Sequence, residues 1–312
     1  MHMKYRIVLL SGGRSDERDV SLVSAAKIAE ALEASAQEVI IIDPADYPGY
    51  VAMMNAIKAY QPDIVFNGLH GAEGEDGRIQ SLLSLEGIPF TGSGYRASAL
   101  AMDKYRSGLI AQIAGLHVPP KLALTSMDAP ALHQFVAEYG LPVVVKPNDS
   151  GSSVGISLVQ QESHLMPAVE AAFACGKLVL VEQFIPGREL TVTILGERIL
   201  PVVEIRPHTG WYDYTNKYTK GNTTYEVPAS LSDEETAQVQ RDARAVYELL
   251  GCEVYARVDF RFDGKRFYFL EVNTLPGMTP LSLTPMAAQQ EGISFDQLLM
   301  EIIGLSLAQE RE

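Results

Sequence analysis

The chain has 312 residues, 47% hydrophobic and 21% charged, a balance typical of globular proteins with material for more than one core. A net charge of −14 speaks against nucleic acid or an anionic membrane as partner, since either requires a basic face. Cys175 and Cys252 supply neither a disulfide framework nor a zinc spacing, and no apolar run reaches membrane-spanning length, so a reducing cytoplasm is the expected compartment.

Lys4 to Leu10 reads as a buried strand running into Ser11-Gly12-Gly13. The pattern then predicts a helix over Val20 to Leu32, a strand over Glu38 to Asp43, a helix over 50–60 and a strand over Asp63 to Phe66. Strands alternating with helices imply a parallel sheet covered on both faces. A dinucleotide site with Asp43 on the ribose is a rival reading, but Ser11-Gly-Gly-Arg-Ser15 lacks the GxGxxG spacing. Acids in Ser15-Asp16-Glu17-Arg18-Asp19 would complement the first helix dipole. Gly68-Leu-His-Gly-Ala-Glu-Gly-Glu-Asp-Gly77 is too rich in glycine for a plain connector, and its His70 is either structural or turned to a ligand. Glu75-Asp76-Gly77 opens another helix, Ile88 to Thr91 is a short strand, and Thr91-Gly-Ser-Gly94 marks a domain boundary.

One helix is expected to carry Ala101-Met-Asp-Lys104, followed by helix 128–139 and strand Pro142 to Val145. Lys146-Pro-Asn-Asp-Ser-Gly-Ser-Ser-Val-Gly155 then leads to a strand at 156–159, and such a loop can wrap phosphates with N–H groups and hydroxyls. It is not a Walker A motif, because no Gly-Lys-Ser/Thr opens a helix. The strand Lys177 to Glu182 enters Gln183-Phe184-Ile185-Pro-Gly-Arg-Glu189, and strands 190–195 and 198–206 form a hairpin about Gly196-Glu197. Residues 207–228 show no clear periodicity, a length that is usually functional or disordered. Trp211, Tyr212, Tyr214, Tyr218 and Tyr225 make this stretch too aromatic for disorder. Helix 232–250 opens on a Ser232–Glu235 capping box.

Residues 254–283 hold the densest pattern. Two strands joined at Asp263-Gly264 place Arg257, Asp259, Glu271 and Asn273 on one face, with Val258, Phe260, Leu270 and Val272 on the other. Two carboxylates sharing a face raise each other's pKa, a conflict that a hard divalent cation removes. Oxygen donors of this kind suit Mg²⁺ shared with phosphates. The bland alternative is a solvated face with an Arg257–Asp259 ion pair. In Asn273-Thr-Leu-Pro-Gly277-Met-Thr the glycine lets N–H groups approach a ligand. A helix from Ser282 offers its N-terminus to a carboxylate, and helix 294–307 follows.

Arg257-Val-Asp-Phe, Glu271-Val-Asn-Thr-Leu-Pro-Gly-Met-Thr and Ser282-Leu283 resemble the C-terminal signature of the D-alanine–D-alanine ligases, within the ATP-grasp superfamily. The resemblance runs through most of the chain. It implies an α/β protein, α+β in its ATP-grasp part. Residues 1–93 would form a Rossmann-like parallel-sheet substrate domain, 94–181 a central domain with the phosphate loop, and 182–312 a C-terminal domain with lid and metal site. By the same resemblance Glu17 faces the ammonium of the first D-alanine and His70 lies near the substrate carboxylate. Lys104, Lys146, Ser153 and Lys217 hold ATP phosphates, while Glu182 and Glu189 take the adenine amino group and ribose beside a hinge at Phe184 and Ile185. Ser152 turns to the substrate, and Tyr218 in the 207–228 lid bonds the loop serine and Glu17. Asp259, Glu271 and Asn273 hold Mg²⁺ (two ions by resemblance, Mn²⁺ as a substitute, with K⁺ as an activator). Arg257 and the Gly277 N–H stabilise an oxyanion, and Ser282 and Leu283 form the pocket for the second D-alanine. Gly108 falls where relatives often have a lysine.

The activity implied is ATP-dependent formation of D-alanyl-D-alanine through an acyl phosphate, for peptidoglycan precursors, by a cytoplasmic homodimer. Two rivals stand beside it. A ligase for D-alanine with D-lactate or D-serine would share the ATP groups, with only Glu17, Tyr218 and Leu283 against it. A nucleotide-binding regulator without catalysis would have no use for Arg257 or the lid tyrosine.

Overall fold

The structure, a computed structural model, describes residues 4–151, 155–208 and 221–309. Strands β1 (Arg6–Leu10), β2 (Glu38–Ile42) and β3 (Ile64–Asn67) form a parallel sheet in the order β2-β1-β3, as the strand–helix alternation predicts. β3 is buried along its whole length, the state of a parallel strand covered on both faces. Helix α1 (Arg18–Ala34) packs Ile28 and Leu32 against Ile7, Leu9 and Phe66 on one face. On the other, α2 (Tyr50–Tyr60) and α3 (Arg78–Leu85) enclose Val8, Leu10 and Val65. The strand expected at Ile88–Thr91 is reduced to one parallel bridge between Val65 and Phe90. Pro89 has no N–H to extend the ladder, and Gly92 (φ +87°) turns the chain away.

The single helix expected around Lys104 is two. α4 (Tyr95–Met102) stops at Asp103, whose extended backbone (φ −81°, ψ 91°) and side chain, accepting from Arg106 N–H, cap α5 (Lys104–Ile113). The break makes Lys104 the first residue of a new helix. Both helices pack through Ala97, Ala101 and Ala111 on the six-stranded sheet, against Val258, Phe260 and Phe269.

β4 (Lys121–Leu124), β5 (Val143–Pro147), β6 (Ser157–Val159) and β7 (Val179–Gln183) form an antiparallel sheet in the order β4-β7-β5-β6. Its Val143, Val145, Val179 and Val181 pack against α6 (Ala129–Tyr139) and α7 (Leu165–Cys175). The two-residue period therefore sends Lys121, Lys146 and Glu182 to the opposite face. The third sheet is antiparallel in the order β11-β10-β8-β12-β13, with β9 on β8. Its strands are β8 (Arg188–Leu195), β9 (Arg198–Ile199), β10 (Val203–Pro207), β11 (Thr223–Glu226), β12 (Tyr255–Phe262) and β13 (Phe267–Asn273). The strand expected over 198–206 is interrupted around Pro201, which cannot donate to a ladder. β11 lies inside the stretch read as aperiodic, where it pairs Tyr225 with Ile205.

The β12–β13 hairpin differs from a regular one in two ways. Phe262 pairs with Phe267, so four residues turn rather than two, and the Asp263 carboxylate accepts from the N–H groups of Lys265 and Arg266 (2.7 Å each). A bulge follows Asp259: Asp259 pairs with Glu271 but Phe260 with Phe269. Phe269 takes the core position expected for Leu270, and Leu270 lines the cleft instead.

α8 (Asp233–Leu249) covers the face of this sheet that carries Val258 and Phe260, while α9 (Leu283–Gln290) and α10 (Phe295–Leu307) join the core shared with β1 and α1. Among the described residues no helix is long and apolar enough to cross a membrane. The Ser232–Glu235 box that opens α8 forms both reciprocal bonds. Ser232→Ala should lower the unfolding free energy by about 1 kcal/mol in urea titration. Catalytic turnover should not change, because α8 lies on the side of the sheet away from the cleft.

Candidate active site

Ser152, Ser153, Lys217 and Tyr218 lie outside the described residues. Every other candidate named above lines one cleft of about 550 Å³, where the three sheets converge.

At its centre Asp259 and Glu271 are cross-strand partners, as are Arg257 and Asn273, so all four side chains share a face. Asp259 is nearly enclosed by donors. Arg257 grips it bidentately (Nε–Oδ1 2.9 Å, Nη2–Oδ2 2.8 Å), Asn273 Nδ2 donates to Oδ2 at 3.0 Å, and the Thr191 hydroxyl donates to Oδ1 at 2.6 Å. The Arg257 and Asp259 side chains are 15% and 12% exposed, which rules out the solvated ion pair considered above. Lys104, buried at the start of α5, places its ammonium 3.1 Å from Glu271 and donates to the Ser150 carbonyl at 2.8 Å. Burial alone would lower the Lys104 pKa, but the Glu271 charge raises it above the ordinary lysine value, so the pair is ionic.

Asp259, Glu271 and Asn273 present oxygen donors only, the set taken by a hard divalent cation. Asn273 commits its NH₂ to Asp259, which leaves its carbonyl oxygen as the atom it can offer. Among the described residues no cluster of three His, Cys, Asp or Glu side chains is placed to hold a metal. A cation here would therefore complete its shell with water and ligand phosphates, the habit of Mg²⁺ rather than of a protein-caged ion.

At one end of the cleft Glu182, on the central strand β7, is 5% exposed at its side chain and holds two lysines. Lys146 lies 2.7 Å from Oε2 and Lys121 lies 3.1 Å from Oε1. Burial would raise the Glu182 pKa, but the two ammonium charges bring it below the usual carboxylate value. For Lys146 burial prevails and its pKa is lowered. Beyond lies the hinge. Arg261 donates to the carbonyls of Ile185 (3.0 Å) and Gly187 (2.8 Å), pairs with Glu189 (3.2 Å) and stands 5.2 Å from the Phe184 ring centroid. Phe184 N–H is already given to the Pro142 carbonyl (3.2 Å), so not every backbone group of the hinge is open to a base.

At the other end Glu17 is the N-cap residue of α1 but its side chain makes no capping bond, while Asp19 sits in the first turn, where an acid complements the helix dipole. The Glu17 carboxylate lies against Gly151 of the Lys146–Gly155 loop, where a built Cβ would collide with Oε2. His70 sits between Glu75 (Nδ1–Oε1 3.1 Å) and Ser24 (Nε2–Oγ 3.3 Å). Ser282 is the N-cap residue of α9 but does not cap it; its Oγ accepts from Thr279 N–H (3.1 Å) beside Gly277.

Sequence reasoning missed Lys121, Thr191, Arg261 and the Glu75–His70–Ser24 chain. Arg261 had a signal, since it shares the strand period of Arg257 and Asp259. Thr191 had none, because only the β8–β12 register sets it opposite Asp259.

Two antiparallel sheets closing on a lysine- and carboxylate-lined cleft, beside a parallel sheet, define an ATP-grasp architecture. Family models described as D-ala D-ala ligase C-terminus and D-ala D-ala ligase N-terminus match residues 110–304 and 47–93. The chain belongs to the D-alanine–D-alanine ligase family. It is 46% identical over 310 residues to the D-alanine–D-alanine ligase of Halalkalibacterium halodurans, covering 97% of this chain and 99% of that one. A crystal structure of the Bacillus anthracis D-alanine–D-alanine ligase complexed with ATP matches at TM-score 0.84 and 33% identity, over 97% of each chain. The VanG D-Ala:D-Ser ligase of Enterococcus faecalis matches at TM-score 0.80 and 31% identity, over 97% of this chain and 100% of that one.

Glu182→Gln would leave two buried ammonium groups facing each other. The expected loss of unfolding free energy is about 3–5 kcal/mol at neutral pH. Stability of the variant should then rise with pH as the lysines, Lys146 with its already lowered pKa among them, release their protons. Guanidinium titrations at neutral and at alkaline pH measure both.

Proposed function

We propose that the cleft joins two D-alanine molecules into D-alanyl-D-alanine, converting ATP to ADP and phosphate, and so supplies a peptidoglycan precursor. What carries this reading is the half-buried Arg257–Asp259–Glu271–Asn273 face, with buried Lys104 beside it and Lys146 and Glu182 at the other sheet. A carboxylate is a poor electrophile, so the first D-alanine is activated as an acyl phosphate. That transfer depends on positioning and charge neutralisation rather than covalent help from the protein. Glu17 takes the ammonium of the first D-alanine and His70 lies near its carboxylate. Lys104 and Lys146 hold phosphates, joined by Ser153 and Lys217. Glu182 and Glu189 take the adenine amino group and ribose. Asp259, Glu271 and Asn273 would hold Mg²⁺, which when bound neutralises charge on the phosphates.

The amine of the second D-alanine attacks the acyl carbon and phosphate leaves. Arg257 and the Gly277 N–H stabilise the oxyanion formed in that attack, an effect worth about 3–4 kcal/mol per donor. The N–H groups that open α9, which Ser282 does not cap, suit the carboxylate of the second D-alanine, and Leu283 (6% exposed) gives its pocket an apolar wall. That wall favours D-alanine over the D-serine named for the VanG relative. Ser152 and Tyr218 belong to the loop and lid that keep water from the acyl phosphate.

A second magnesium ion, Mn²⁺ substitution, K⁺ activation, a homodimeric assembly and a cytoplasmic location complete the proposal by resemblance. So does a division at residues 93 and 181 into three domains, with α4 and α5 leaning on the large sheet.

Purified protein given ATP, Mg²⁺ and a panel of D- and L-amino acids plus D-lactate should yield D-alanyl-D-alanine as the dominant product by mass spectrometry. A dominant D-alanyl-D-serine or depsipeptide would overturn the assignment of the second substrate. Asp259→Asn combined with Glu271→Gln should reduce ATP-dependent phosphate release to background at saturating Mg²⁺, whereas a change at His70 should only reduce it. Full activity in the double variant would remove the metal assignment.

A further inference from the structure

Gly108 lies inside α5, one turn after Lys104, where glycine costs about 1 kcal/mol relative to alanine. A Cβ built there would stand 2.7 Å from Lys121 Nζ and 3.6 Å from its Cε. The Lys121 ammonium thus fills the space a side chain at 108 would need. Lys121 is also the cross-strand partner of Glu182, so strand pairing and helix vacancy aim one ammonium at one carboxylate. Its side chain is 10% exposed, and Glu182 holds it through Oε1 while Oε2 holds Lys146. One carboxylate thus compensates two buried cations.

We propose that Lys121 is a positioning residue for recognition of the nucleotide base, and that Gly108 is the space that admits it. The inference rests on the reading of this cleft as the ATP site with Glu182 at the adenine amino group. There Lys146 is drawn to the phosphates and gives up Oε2. A buried carboxylate left without a cation would take a proton and present a donor to the amino group, which is itself a donor. Lys121 on Oε1 keeps Glu182 ionised, with Oε2 turned toward the base as an acceptor.

The test is steady-state kinetics with ATP and with inosine triphosphate, which carries a carbonyl oxygen where adenine has its amino group. Lys121→Met should raise KM for ATP about tenfold, the loss of one charge-assisted hydrogen bond. KM for inosine triphosphate should not rise, since a protonated Glu182 donates to its carbonyl oxygen, and KM for D-alanine and kcat at saturating ATP should stay within about twofold. Lys121→Arg should restore the preference for ATP. Gly108→Ala should shift the ATP-to-inosine ratio in the same direction, and adding it to Lys121→Met should change nothing more. This variant keeps the fold, since alanine favours the helix and only the free end of a lysine must move. Equal shifts for both nucleotides, a loss confined to kcat, or additive effects of the two substitutions would overturn the proposal. Failure of the parent reading would look different, with no nucleotide-dependent turnover in the unaltered protein.

Discussion

The placement of two carboxylates opposite each other on a half-buried sheet face is the constraint around which this protein is arranged. Asp259 and Glu271 sit on neighbouring strands in register, and the cost of holding both ionised away from water would be several kcal/mol per group without cations. The compensation comes from different parts of the chain. Arg257 reaches Asp259 from two residues away, and Thr191 arrives from the next strand. Lys104 arrives because α4 stops at Asp103 and α5 starts afresh. An unbroken helix would point that lysine elsewhere. The break is thus an electrostatic requirement of the site expressed as a capping residue.

The same logic is repeated with opposite sign at the four-stranded sheet. There one carboxylate, Glu182, serves two lysines and leaves a surplus of positive charge on that side of the cleft. The carboxylate-rich and lysine-rich faces belong to different sheets, so a polyanion carrying a cation would fit between them in one orientation only. The lysine side keeps a net positive charge, whereas Arg257 and Lys104 balance the two carboxylates on the other. Apolar neighbours such as Val144, Ile156 and Leu270 line the cleft and contribute no polarity.

How far the amino-acid pattern foretells this differs from residue to residue. Period two along 254–273 brings Arg257, Asp259, Glu271 and Asn273 to one face, because neighbours on a strand alternate sides whatever lies around them. The capping box at Ser232 is equally local and equally legible. The bulge that moves Leu270 from the core to the cleft is not, since bulges answer to how two strands pair rather than to either strand alone. Pro201 did carry a local signal of interruption that the longer apolar pattern obscured. Gly108 had only its oddity to mark it, for the atom that explains it belongs to Lys121, on a strand that local pattern did not reveal.

By itself the sequence determined the strand–helix alternation at the start and its parallel sheet, the shared face of the carboxylate hairpin and the family to which these motifs belong. These depend on periodicity, on turn chemistry and on short-range spacing. Only the tertiary structure decided that Lys104 answers Glu271, that Thr191 closes on Asp259, that Lys121 stands over Gly108 beside Glu182, and that the Glu17 side chain, at the head of its helix, turns to Gly151 rather than capping. Each of those joins residues separated along the chain. Their partners are chosen by sheet register and by where charge can be compensated out of water, and neither is a property of any single stretch of sequence.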